Sequence, residues 1–208
     1  LMNVTTNDAL AGRRRKQALL ASMAGLSVLI VGLTANIGAM RTGSDSRYGI
    51  WIAYGALVGG SLLSWVGVVL TDRWVGRPRA DEALATGLKG AGPAYRLYNW
   101  CLPADHVLLA PWGLVVFAVF NHEGPIVIRG RRWRDARPLL RRLLAFGRRA
   151  VRDPGRLLAM ETSALAHELL ERDPEVGEMT IDHVVVFSSP RARVAAEDPS
   201  VPVVRVAD

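Results

Sequence analysis

Two uncharged apolar stretches, 17–40 and 48–70, dominate the N-terminal third of the chain, and the polar loop 41–47 (RTGSDSR) separates them. Each exceeds the roughly 20 residues that an α-helix needs to cross the hydrocarbon core of a bilayer. The loop is long enough only for an antiparallel return, so the pattern predicts a two-helix transmembrane hairpin. The competing readings are a buried core hairpin and a cleaved signal peptide. A secretory signal has an apolar core of roughly 7–15 residues, and cleavage after the first stretch would leave the second unexplained.

Beyond Asp72 the pattern changes. Residues 72–93 are rich in charge, Gly and Pro, with a short helix expected over 81–89 that stops at Gly90. The runs 107–109 and 114–120 (LVVFAVF) are β-branched and aromatic, and Ala110-Pro111-Trp112-Gly113 between them reads as a hairpin turn. A third strand is expected over 125–129, closed by Gly130. Residues 135–152 read as a helix with Leu140, Leu143, Leu144 and Val151 on one face. Asp153-Pro154-Gly155 breaks it, and a second helix runs to Leu170. Strands follow at 181–187 (IDHVVVF) and 201–206, the latter nearer a sheet edge because of Pro202. Strands and helices in this order predict a small α/β domain with a mixed sheet. The chain thus divides into a basic N-terminal tail (1–16), the hairpin (17–71), a linker with a short helix (72–93) and the α/β domain (94–208).

Charge adds an orientation. The formal net charge is +7, and basic residues flank the apolar stretches: Arg13, Arg14, Arg15 and Lys16 before, Arg73, Arg77 and Arg79 after. The intervening loop holds Arg41 and Arg47 against Asp45. Cytoplasmic flanks carry the excess of Lys and Arg, so both termini are expected on the cytoplasmic side of an inner membrane. The lone Cys101 agrees, because one cysteine cannot build an internal disulfide framework. Leu1 ahead of Met2 suggests an alternative start or an upstream trim. The polar ends 1–12 and 206–208 need neighbours if they are to be ordered.

Within the second apolar stretch, Gly55, Gly59, Gly60 and Ser64 form a small-residue face of the kind that lets helix backbones approach closely in lipid. That face could serve helix one or another subunit. Asn36 is the one strongly polar side chain inside a stretch, suited to a hydrogen bond across a helix interface or to the outer surface. Neither stretch contains Asp, Glu, Lys, Arg or His, which argues against an ion or proton pathway through this chain alone.

The order of motifs in the domain resembles the nuclease-related domain. The residues that carry the resemblance are Leu102-Pro103-Ala104-Asp105-His106-Val107-Leu108-Leu109, Pro111-x-Gly113, and a hydrophobic strand leading into Asn121-His122-x-Gly124-x-Ile126. Arg132-Trp133, the break at Asp153-Pro154, and Val184-Val185-Val186-Phe187 before Pro190 continue it, over roughly 80–208. The resemblance implies a restriction-endonuclease-like core, a mixed sheet flanked by helices. It also implies a first acid at Asp105, an earlier helical glutamate at Glu82, and an acid and a lysine two residues apart on the next strand. Those last two positions fall on Ala118 and Phe120. Two carboxylates hold a hard divalent cation and a lysine positions water, and neither a methyl nor a phenyl group replaces them. The expectation is therefore a catalytically degenerate nuclease fold without metal or cofactor.

Other chemistry is thinner. Asp105-His106 and Asp182-His183, with His122, would make a metal site only if their strands were neighbours, and adjacent strand residues point to opposite faces. Cys101 reads as a buried structural thiol. The arginines of 129–156 face only Asp135 and Asp153 as local acids. On the expected helix, Arg141, Arg142, Arg148, Arg149 and Arg152 lie opposite the leucines. Guanidinium forks suit phosphate and carboxylate groups. Anionic lipid or an acidic protein surface ranks first as their partner, a solvated face second and nucleic acid third. These features predict a non-catalytic accessory or scaffold subunit of a bacterial membrane complex, with energy transduction as a natural host and other transmembrane subunits as partners. The alternatives are a membrane-tethered nucleic-acid binder or nuclease with non-standard ligands, and a signalling or sorting adaptor.

Overall fold

The computed structural model describes residues 2–42, 47–75, 78–138, 153–173 and 179–206. It divides into two compact units, one built on the two long helices and one on the sheets.

The helical unit consists of α1 (Asp8–Thr42) and α2 (Arg47–Trp74). Segments Asp8–Gly38 and Trp51–Thr71 are long and apolar enough to cross a membrane, and only 17% and 11% of their most apolar windows are buried. The core helix of a soluble protein would be mostly buried, whereas here Leu20, Met23, Val31, Leu33, Trp51 and Ile52 are all exposed. The basic cluster Arg13–Lys16 belongs to α1, which begins before it. Buried positions on α1 are Ala11, Ala18, Gly25 and Gly32. A seven-residue repeat of small side chains is the pattern of a left-handed helix pair.

The sheet unit draws on more of the chain than 94–208. Strand β1 (Asn3–Thr6) lies at one edge of a six-stranded mixed sheet, followed in space by β2 (Arg96–Asn99), β3 (His106–Ala110), β4 (Gly113–Phe120), β7 (Ile181–Phe187) and β9 (Val203–Arg205). The β3–β4 hairpin turns on Pro111-Trp112, as expected, and β9 sits at the opposite edge, as Pro202 suggested. A second, three-stranded sheet has the order β6 (Arg132–Asp135), β5 (Gly124–Arg129), β8 (Ala192–Glu197). The strand expected at 125–129 is thus real, and it lies outside the main sheet.

One expectation is overturned. The helix expected over 135–152 does not start at Asp135, which ends strand β6 (Arg132–Asp135), antiparallel to β5 with Ile128 opposite Trp133, and 136–138 are not helical either. Gly130 adopts φ +54°, which lets the chain reverse within two residues. Trp133 is buried between exposed Arg132 and Arg134, a period of two. The rest of that expected helix, 139–152, lies outside the described residues.

Helix α3 (Ala80–Gly87) covers one face of the main sheet, where Leu84 packs with Leu97, Leu108, Val115, Phe117 and Val186. Helix α4 (Gly155–Arg172) packs on the other. There Leu158 and Leu165, seven residues apart, meet Val107, Val116, Val185 and Phe187 together with Ile126 and Ile128 of the small sheet. Along β4, Leu114, Val116, Ala118 and Phe120 face this larger core while Val115, Phe117 and Val119 face α3.

Candidate functional site

The β3–β4 register pairs Val107 with Val116. Asp105 lies before β3 and outside that ladder, whereas Ala118 and Phe120, the other positions singled out for a nuclease centre, lie together on β4. Their chemistry is that of a core. Ala118 is buried and pairs with Val185 on β7; Phe120 pairs with Phe187. The Phe120 ring lies 5.9 Å from that of Phe187 and 6.3 Å from that of Trp133, and Trp133 lies 6.3 Å from Phe187. Three large rings, two of them supplied by residues distant in sequence, occupy the space beside Ala118.

Asp105 immediately precedes β3 and is half-buried. Its carbonyl accepts the Trp100 N–H at 2.8 Å, and Trp100 holds φ +54°, unusual for a bulky side chain. The Arg79 guanidinium lies over the Trp100 ring at 5.7 Å while its Nη2 pairs with Asp81 at 2.8 Å. Glu82 accepts the Arg79 backbone N–H at 3.4 Å, the position of a carboxylate at a helix start.

The histidines separate. His106 is buried, and its Nδ1 lies 2.8 Å from Asn99 Oδ1; Asn99 Nδ2 in turn donates to Thr6 Oγ1 at 3.2 Å. Because Asn99 spends its amide on Thr6, His106 Nδ1 is the donor in this relay. Asp182 and His183 stand opposite Val115 and Val116, with β4 between them and β3. Among the described residues, no three His, Cys, Asp or Glu side chains are grouped to hold a metal ion. Cys101 is exposed, not buried as its neighbours in sequence suggested, and its thiol donates toward the carbonyls of Asn99 (3.3 Å) and Thr5 (3.8 Å).

A second polar cluster was not foreseen. Arg137 forks onto Asp135, with Nε 2.9 Å and Nη2 2.6 Å from Oδ2, and the Asp135 carboxylate also accepts the Arg137 N–H at 3.0 Å. His122 is buried with Nε2 3.8 Å from Asp135 Oδ1. Burial alone would raise the Asp135 pKa; the hydrogen bonds and charge of Arg137, helped by His122, outweigh it and hold the carboxyl below its ordinary value.

In the helical unit the small-residue face divides. A Cβ on Gly60 would meet the Leu29 side chain at 2.8 Å, and one on Gly25 would collide with Ser64, so Gly60 and Ser64 pack α2 on α1. Nothing lies within 4 Å of such an atom on Gly55 or Gly59. The α1 half of this seam, Gly25 and Gly32, escaped notice because its signal is a seven-residue repeat and not the four-residue spacing read on α2. Arg141, Arg142, Arg148, Arg149 and Arg152 lie outside the described residues. Nearby, Arg129 pairs with Glu197 at 2.8 Å, Arg131 with Asp153 at 3.2 Å and Arg137 with Asp135, so these three arginines already have carboxylate partners. Compared with known proteins, the chain matches no family model, no curated protein and no solved structure.

Proposed function

We propose that this chain is a non-catalytic, membrane-anchored accessory or scaffold subunit of a larger bacterial membrane complex, one of energy transduction among the candidates, carrying a degenerate nuclease-related domain. The observation that carries the reading is the Phe120–Phe187–Trp133 ring cluster beside Ala118. A divalent cation needs oxygen ligands, and the positions that a nuclease-related reading assigns to the second acid and the lysine, Ala118 and Phe120, carry hydrocarbon.

The anchor is supported by two long helices whose apolar side chains are largely uncovered; lipid or other helices would cover them. Strand β1 precedes α1 and pairs with β2, which follows α2. That pairing supports placing both flanks of the hairpin on one side of the membrane, and their excess of Lys and Arg favours the cytoplasmic side. Gly55 and Gly59, open on α2, offer a close-approach face to a further transmembrane helix.

The test is isolation of the tagged chain from native membranes in mild detergent. The expected result is co-purification, at fixed stoichiometry, of at least one other membrane subunit. A chain that runs alone would overturn the accessory reading. Divalent-metal-dependent cleavage of DNA or RNA that disappears in Asp105→Asn would overturn the non-catalytic one and favour a tethered nuclease.

A further inference from the structure

We infer that the hollow between α1 and α2 binds a membrane-dissolved amphiphile with a neutral, oxygen-bearing head on an apolar body. It is an open-sided groove of about 400 Å³, with Leu33, Tyr54 and Leu57 more than half exposed, lined by Leu29, Leu33 and Asn36 of α1 and by Ala53, Tyr54 and Leu57 of α2. That volume lies within the range of small-molecule sites, which are apolar with a few placed polar groups.

Two features select the ligand. Among the described residues the lining contains no Asp, Glu, Lys, Arg or His, so a charged head or a metal ion finds no counter-charge among them. It does contain the Asn36 amide and the Tyr54 hydroxyl, neither of which hydrogen-bonds another side chain among the described residues. Asn36 Nδ2 and Tyr54 Oη are both donors suited to an ester, ketone or hydroxyl oxygen, which would replace interfacial water on them.

Depth orders the ligand. Asn36 is close to the end of the candidate span Asp8–Gly38, and Tyr54 close to the start of Trp51–Thr71. The polar groups thus share the turn end of the hairpin, at the level of a membrane interface, while Leu29 and Leu57 lie deeper. A head at the interface and a tail running inward reproduces the way an amphiphile sits in its own leaflet. A partner helix is the less suited occupant. Helices dock on flat small-residue faces, and that face is at Gly55 and Gly59, whereas the hollow lies beside the tight Gly32–Ala56 contact.

The inference rests on the hairpin spanning a membrane, and its experiment separates the two. Native membranes containing the full chain are labelled with a photoactivatable long-chain methyl ketone or with the matched alkane lacking the carbonyl, and a carbonate wash is run in parallel. The ketone is expected to label residues 29–36 and 53–57 roughly three- to tenfold more than the alkane, the effect of one or two hydrogen bonds in lipid. Asn36→Leu combined with Tyr54→Phe should reduce ketone labelling to the alkane level, and Leu20→Ala, at an exposed site outside the cavity, should not. Equal labelling by both probes, labelling that survives the double substitution, or a crosslink from Asn36→Cys to another polypeptide would overturn the cavity assignment. Release of the chain by carbonate would overturn the membrane reading itself.

Discussion

A Cβ placed on Gly67 of α2 would lie 2.5 Å from the amide nitrogen of Ser22 on α1, so the two helices touch backbone to backbone at that level. Ser22 Oγ also lies 3.4 Å from Thr71 Oγ1, one turn further along α2. In a Cys101→Ser background, Ser22→Cys with Thr71→Cys is expected to form an intramolecular disulfide under mild oxidation. Adding Gly67→Leu should cut its yield several-fold, because the leucine holds the backbones apart. Gel mobility with and without reductant measures both. An undiminished yield would mean the helices do not meet along this seam.

The ring cluster sets a stability order. Phe187 is fully buried, whereas Phe120 keeps some exposure. Phe187→Ala should destabilise the sheet unit by about 3–5 kcal/mol, the range for truncating a buried ring, and Phe120→Ala by less. Phe120→Lys, which restores the nuclease-type ammonium, should cost more than Phe120→Ala because it buries a charge without a partner. Tryptophan fluorescence during denaturation of the detergent-solubilised chain reports all three. Phe120→Lys at wild-type stability would indicate room for polar groups at this site.

The Asp135–Arg137 pair predicts an acid limb. The carboxyl is held below its ordinary value of 3.8 in the folded state. Its stabilising contribution is therefore complete above the unfolded pKa and is lost as pH falls through the lower folded value. With side chains only 11% and 14% exposed, removing one partner through Asp135→Asn should cost about 2–4 kcal/mol near neutrality, toward the lower part of the range for buried pairs. The deficit should shrink below about pH 4. Melting curves from pH 3 to pH 7 test this, and a deficit independent of pH would exclude the charge as its source.

What could be read from the sequence had local causes. The β3–β4 hairpin, β7 and α4 were legible because each carries its own signal: a Pro-Trp-Gly turn between β-branched runs, the run Val184-Val185-Val186, or a Pro-Gly start ahead of leucines at helical spacing. Strands β1, β2 and β8 were not, since NVTT, RLYN and ARVAAE carry little apolar pattern, and β1 owes its pairing to a partner more than ninety residues away. At the candidate site the strand placement of Ala118 and Phe120 was readable and their surroundings were not. That Ala118 and Phe120 lie on one strand face follows from period two. That Phe120 meets Trp133 depends on β6, a four-residue strand with a single apolar position and so no readable alternation.

The relay from His106 through Asn99 to Thr6 makes the final prediction, about the edge that joins the start of the chain to the sheet. Asn99 is fully buried and joins His106 to Thr6 of β1; the backbone adds Asn3 N–H to Tyr95 O at 3.2 Å and Asn7 N–H to Asn99 O at 3.0 Å. Asn99→Leu preserves bulk but leaves the buried His106 Nδ1 and the Thr6 hydroxyl without this partner. The penalty for an orphaned buried donor is about 1–3 kcal/mol, and it should fall first on a four-residue edge strand. Amide hydrogen exchange over residues 3–7 should therefore accelerate roughly five- to a hundredfold in the variant, while β4 and β7 stay protected to the same degree as in the wild type. Thr6→Val should give a smaller acceleration, because it removes an acceptor and leaves the His106–Asn99 bond in place. If the two substitutions loosened the whole sheet equally, β1 would be an integral strand and not a separately detachable edge.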